Sequence, residues 1–262
     1  MNHTLANGLE VLMFLANAPR PHGVSELAIA LDLPKSHIHR LLQTLIENQY
    51  VEKDSARRYA IGIGALRLGH SLLRNIPIRQ VALPVMQRMV RKVHLPMTLA
   101  MPFGNDGISV ACVTHDGQIR DVTETLGSVL HANSSASGKL FLAFKPAKQR
   151  DEILAELDYR SITPNTHCSA SSLRKNLIQI ARQGYSLNDR ENGVESASLA
   201  MPIRNDQQQV IAAIGLSGHY TQFTPKSLPV LVDALNQTAE EIQTHLMEKQ
   251  ACPQQPQLST TQ

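Results

Sequence analysis

Leu5, Leu9, Leu12, Met13 and Ala16 recur at the 3.6-residue period of a helix, and Pro19 and Pro21 end the run. Ser25 is placed to cap a short second helix that carries Leu27, Ala28 and Leu31 and closes at Asp32-Leu33-Pro34. A third helix starts at or just after Pro34, where a missing N–H costs nothing. Its apolar positions, Ile38, Leu41, Leu42 and Leu45, form one stripe. Tyr50–Glu52 and Arg58–Ile61 then alternate around the polar turn 53–57, the pattern of a short hairpin. Residues 63–75 predict one more helix, stopped before Pro77.

From Ile78 the pattern changes. A helix over 78–93 is followed by strand-like runs at Thr98–Met101 and Gly107–Val113, with turns at residues 104–107, Gly117 and Gly127. Helices are predicted over 137–145, 147–157 and 170–183. Ala197–Arg204 and Val210–Ser217 read as a hairpin split by the polar turn 205–209, and a last amphipathic helix runs from about Pro225 to Glu248. The expected organisation is therefore α+β. A small helical domain with a hairpin covers 1–62, a linker helix 63–77 and a larger α+β domain 78–249, with a disordered Gln/Pro/Ser/Thr-rich tail over 250–262.

Composition narrows the class. The 262 residues, 42% hydrophobic and 18% charged, are enough for a sizeable core. No apolar run approaches the roughly 20 residues of a membrane span, and no basic segment precedes an apolar block at the start, so a cytoplasmic protein is expected. Cys112, Cys168 and Cys252 lie too far apart for a disulfide framework or a clustered zinc site. The formal charge is +3, of which +2 falls in the first 75 residues. That tilt suits a polyanionic partner and equally a mildly basic solvated surface.

Helix, tight turn and helix over 24–47, followed by a two-stranded wing, is the winged helix-turn-helix arrangement. At 100° per residue, Ser36, Arg40, Gln43, Thr44 and Glu47 oppose the apolar stripe of the third helix, with His37 and His39 flanking them. No acid occurs from Lys35 to Ile46. Arg40 suits guanine O6/N7, Gln43 suits adenine, Lys35 and Ser36 suit phosphate, and Arg57 and Arg58 in the wing suit adjacent phosphates or a minor groove. The candidate DNA contacts are thus Lys35, Ser36, His37, His39, Arg40, Gln43, Arg57 and Arg58. Ile63, Leu66 and Leu73 share one side of the 63–75 helix and are the candidate dimer contact.

Val24-Ser25-Glu26-Leu27-Ala28, Leu33–Leu42, Tyr50-Val51 and Tyr59–Gly62 together resemble the DNA-binding domain of IclR-type bacterial transcriptional regulators. In the second half, Ser135-Ala136-Ser137-Gly138-Lys139, Asp189-Arg190-Glu191, Gly193-Val194, Leu199–Ile203 and Ala212–Gly218 resemble that family's other segments, in order and with sensible spacing. The resemblance spans about residues 3–248. It implies an N-terminal winged helix-turn-helix and a C-terminal GAF-like effector domain, assembled as dimers or tetramers on palindromic double-stranded operators. Departures are Arg190 in place of one acid of the usual pair, Glu195 and Ser196 after Gly193, Gly215 where serine is frequent, and His37 and His39.

Residues 135–139 open a helix whose first N–H groups lack intrahelical partners, a setting that favours an anion. The resemblance implies that Ser135, Ala136 and Ser137 face a second wall made of Asn188, Asp189, Ser196, Ser198, Gly215 and Ser217, with Leu130 as an apolar side. The expected effector is an organic or sugar acid. An enzyme reading finds little support. A P-loop would need Gly at Asn133 and Ser/Thr at Leu140, and a Ser-x-x-Lys nucleophile would need serine at Ala136. The alternative that stays open is a small cytosolic hydrolase or ligand-binding enzyme with an accessory winged helix. His37, His39 and His131 show no third ligand at useful spacing, so neither metal nor cofactor is expected.

Overall fold

The computed structural model describes residues 2–118 and 126–251. The tail expected after Gln250 lies outside them, as does Cys252, apart from Ala251 at the end of the last helix. The chain divides into two compact units, Met1–Asn75 and Ile76–Gln262.

The first unit holds α1 (His3–Asn17), α2 (Val24–Ala30), α3 (Lys35–Glu47), β1 (Val51–Lys53), β2 (Tyr59–Ile61) and α4 (Gly64–Arg74). Its core joins Val11 and Leu15 of α1, Leu27 of α2, Ile38, Leu41 and Leu42 of α3, and Val51 and Tyr59 of the hairpin. One apolar set faces outward here, and one expected cap needs correction. Leu5, Leu9 and Met13 are exposed, because α1 turns Val11 and Leu15 inward instead. Ser25 does not cap α2. Gly23 is the N-cap residue, and the Glu26 carboxylate accepts its backbone N–H at 2.9 Å. The backbone of His22 pairs with Tyr59 through two hydrogen bonds, so the loop before α2 is tied to the wing.

In the second unit, six strands form one antiparallel sheet in the order β5-β4-β3-β8-β7-β6. They are β3 (Met97–Phe103), β4 (Asp106–Val113), β5 (Val129–Leu130), β6 (Ser186–Asp189), β7 (Ser196–Arg204) and β8 (Val210–His219). The short strands β5 and β6 carry too few residues to show an alternation, and the sequence pattern does not predict them. The helices are α5 (Pro77–Val93), α6 (Ala136–Ala143), α7 (Ala147–Glu156), α8 (Ala170–Gln183) and α9 (Leu228–Ala251).

Strand alternation sorts the sheet into two faces. On one, β3 and β8 pair Thr98 with Gly215 and Ala100 with Ala213, while β7 aligns Ala200 with Gly215 and Ser198 with Ser217. Ala100, Ala200 and Ala213 pack against Leu140 and Phe141, so small side chains let α6 lie close on this face. The other face packs against α5 and α9. Gly138 fixes how near α6 comes to the chain before it. A Cβ there would stand 2.4 Å from the Leu130 carbonyl oxygen and 2.5 Å from that of His131.

Candidate nucleic-acid interface and ligand cavity

The α3 stripe expected to face inward does so, with Ile38, Leu41 and Leu42 buried. Lys35, Ser36, His39, Arg40, Gln43 and Thr44 are exposed on the opposite side. His37 is half-buried, and its Nε2 lies 3.1 Å from Asn7 Nδ2 of α1, which therefore donates to the ring. Pro34 supplies no side-chain cap, so the Lys35 and Ser36 N–H groups that open α3 have no acceptor among the described residues, while the His37 N–H donates to the Pro34 carbonyl at 2.9 Å.

The wing arginines differ from each other. Arg57 sits at φ +58° in the turn between β1 and β2, fully outward, with no ion pair among the described residues. Arg58 turns back towards the unit. Its Nη1 donates to the Pro21 carbonyl at 3.4 Å and its Nη2 lies 3.9 Å from Glu26 Oε1. Arg20 Nη2 reaches the same oxygen at 3.1 Å. The Gly23 N–H and Arg20 hold the Glu26 carboxyl well below the usual range, at about 2. Glu26 thus partly neutralises two cations, while Lys35, Arg40 and Arg57 carry no such partner among the described residues.

In the second unit, a cavity of about 290 Å³ opens where α6 begins. Leu130, Ser135, Ala136 and Ser137 line one side. Asn188, Ser196, Ser198, Gly215 and Ser217 line the other, joined by Thr98, which the sequence did not single out. Asp189 does not belong to the lining. On β6 it pairs with Ala197 while Asn188 pairs with Ser198, so successive side chains leave on opposite faces. Its carboxylate accepts from Arg190 Nε at 2.8 Å instead.

Ser135 is a helix cap whose hydroxyl hydrogen is already committed. It accepts the Gly138 N–H at 3.0 Å and donates to the His131 carbonyl at 2.9 Å. The N–H groups of Ala136 and Ser137 have no acceptor among the described residues, and neither has the Ser137 hydroxyl. Asn188 is 4% exposed. Its Oδ1 accepts the Glu191 N–H at 2.8 Å, which fixes the amide so that Nδ2, a pure donor, is left for the cavity.

Beneath this wall lies a buried ion pair that sequence reasoning missed. Lys139, 0% exposed, donates from Nζ to Glu191 Oε1 at 2.5 Å and to the Leu187 carbonyl at 2.8 Å. The two residues are 52 positions apart, and no local pattern links them. Burial pushes the Glu191 carboxyl up and the Lys139 ammonium down, each opposed by its partner. His167 Nε2 stands 3.7 Å from the same oxygen, and desolvation followed by the Lys139 charge lowers its pKa to about 4, so it is neutral at pH 7. Thr163 and Thr166 donate to the carbonyls of Arg190 and Glu191, both at 2.6 Å, pinning the β6–β7 turn.

A winged helix-turn-helix unit followed by an α+β unit with a polar cavity defines a ligand-responsive DNA-binding protein. The chain belongs to the IclR family of bacterial transcriptional regulators. Residues 4–55 match the IclR helix-turn-helix domain and residues 70–244 the bacterial transcriptional regulator IclR C-terminal domain. It is 28% identical to the HTH-type transcriptional repressor AllR of Klebsiella pneumoniae over 243 residues, covering 92% of this chain and 89% of that one. An IclR family transcriptional regulator from Brucella abortus superposes with a TM-score of 0.80 at 27% identity, covering 94% of this chain and 92% of that one. An IclR homolog from Microbacterium hydrocarbonoxydans, solved with 4-hydroxybenzoate, gives 0.73 at 24% identity, covering 94% and 99%. The chain is a DNA-binding regulator with an effector-binding C-terminal domain. Its relatives are named as regulators, which removes the enzyme alternative. Among the described residues no helix is long and apolar enough to cross a membrane.

Proposed function

We propose that this regulator binds a palindromic operator as a dimer or tetramer and that an organic or sugar acid in the cavity controls its affinity for DNA. The single observation that carries the effector reading is the set of unpartnered donors at one end of the cavity: the Ala136 and Ser137 N–H groups, the Ser137 hydroxyl and Asn188 Nδ2. Donors converging at a helix N-terminus favour a carboxylate. The homolog solved with 4-hydroxybenzoate supports an acid as the class of ligand.

On the DNA side, Arg40 and Gln43 read bases in the major groove. Lys35, Ser36, His39 and Arg57 hold phosphates, His37 is steadied by Asn7, and Arg58 contributes less because it is already engaged. Self-association runs through α4. Ile63 and Leu66 are each 66% exposed, while Leu73 is half-buried and contributes less. The exposed Leu5, Leu9 and Met13 of α1 add a second apolar stripe on the same unit. Binding to bacterial DNA supports the cytoplasm as its location.

The test is to titrate carboxylates against the full-length protein and follow thermal stabilisation, with Ser137→Leu and Ser198→Leu as controls. Stabilisation by an acid that is lost in both variants is expected. Equal stabilisation by the methyl ester or amide of that acid overturns the acid reading.

A further inference from the structure

We infer that the effector is a monocarboxylate whose remaining polar groups are all uncharged, and that the cavity rejects both amino acids and diacids of the same skeleton. This rests on the acid reading of the cavity and narrows it. The two ends of the cavity differ in kind. At the α6 end three unpartnered groups can only donate, the two backbone N–H groups and Asn188 Nδ2, and the Ser137 hydroxyl adds a fourth hydrogen. Ser137 and Asn188 are 7% and 4% exposed, so these donors are held in place and largely shielded from bulk water. One carboxylate satisfies them. An ammonium on the adjacent carbon would be set among donors, with no carboxylate in the described lining to receive it.

The far end is neutral. Ser198 and Ser217 lie opposite each other on β7 and β8, and Thr98 stands on β3 opposite Gly215. The three hydroxyls have no protein partner among the described residues. They share the sheet face on which α6 packs, beyond the first turn of that helix, where the sheet is uncovered. Hydroxyls that both donate and accept match ligand hydroxyls and carbonyls. A second carboxylate here would lose water without gaining a cation, since no Lys, Arg or His belongs to the described lining. Two charged pairs lie close by among the described residues, and each is already matched: Lys139 with Glu191 beneath the wall, and Arg190 with Asp189 on the opposite face of β6.

Matched triads test this directly. Glycerate, serine and tartronate share a three-carbon skeleton, serine exchanging one hydroxyl for an ammonium and tartronate the terminal CH2OH for a second carboxylate; gluconate, glucosaminate and glucarate do the same at six carbons. Calorimetric titration of the full-length protein is expected to show the monoacid of at least one triad binding at least about tenfold tighter than both its counterparts. Asn188→Asp keeps an oxygen for the Glu191 N–H but replaces the donor, so it should weaken the monoacid and move the ratio towards the amino acid. Ser217→Lys places a cation at the far end and should move the ratio towards the diacid. Operator binding by each variant shows that it is folded. A diacid or amino acid that binds wild type as tightly as the monoacid overturns the inference while leaving the acid reading intact. Failure of every member of both triads at millimolar concentration overturns it for hydroxylated acids of this size. Glycerol or gluconamide binding as tightly as the monoacids would instead remove the acid reading itself.

Discussion

Replacing Lys139 by methionine probes the wall that carries the cavity. The substitution keeps the length and apolar stem of the side chain and removes its charge. Glu191, 6% exposed, then loses the partner at 2.5 Å, and its Oε2 has no hydrogen bond even in the wild type. An ionised carboxylate left in that position is worth a loss of about 3–5 kcal/mol. For a unit of this size that corresponds to a fall of about 6–20 °C in its melting temperature. Lys139→Met/Glu191→Leu removes both charges and should recover most of the loss, because apolar replacement of a buried pair is close to neutral.

The pH dependence has a fixed sign. Burial raises the Glu191 pKa in the folded state, and losing Lys139 raises it further, so the folded single variant takes up a proton more readily than the unfolded chain. Its deficit therefore grows as pH rises through the raised titration of the Glu191 carboxyl and shrinks as pH falls towards the ordinary carboxylate range. Differential scanning calorimetry of the full-length protein, reading the transition of the second unit, measures both effects. A single variant within about 1 kcal/mol of wild type, or a double variant no better than the single, would refute the reasoning.

Arg40→Ala should cost about 1–3 kcal/mol on operator and less on random DNA if it reads a guanine; equal losses on both would remove it from base readout. Arg57→Ala should weaken binding to all sequences and lower the salt slope by about 1, with a smaller effect from Arg58→Ala, measured by anisotropy across a salt series. Ile63→Glu with Leu66→Glu should shift the assembly towards monomer in light scattering, since each loses roughly 1.5–3 kcal/mol of burial; an unchanged mass would contradict a contact through α4. Gly138→Ala should destabilise the second unit and weaken acid binding together, because its Cβ meets two carbonyl oxygens inside 2.6 Å; calorimetry and ligand titration check both.

The elements with strong periodicity were legible in the chain. The α3 stripe of Ile38, Leu41 and Leu42 specifies both the buried and the exposed side, and the apolar runs of β7 and β8 flank a polar turn that admits little but a hairpin. What escaped has a physical cause in each case. α1 carries apolar residues around more of its circumference than one core can bury, so periodicity alone did not tell Val11 and Leu15 from Leu5, Leu9 and Met13. The capping oxygen of α2 comes from Glu26 folding back to Gly23, a residue with no side chain to announce it. The family resemblance brings Asp189 in with Asn188 as one segment, whereas a strand sends neighbours to opposite faces. Thr98 and the Lys139–Glu191 pair depend on strand order and on long-range packing, which no local pattern encodes.

The most direct test of ligand-controlled DNA binding is the affinity of the full-length protein for its own site with and without an acid. Selection from a random duplex library supplies the site, and fluorescence anisotropy compares it with a scrambled duplex. The selected sequence should be an inverted repeat bound at least about 10³-fold tighter than the scrambled one. A saturating acid identified by titration should change that affinity by about tenfold or more. A selection that converges on no sequence, or an acid that stabilises the protein yet leaves operator affinity unchanged, would contradict it.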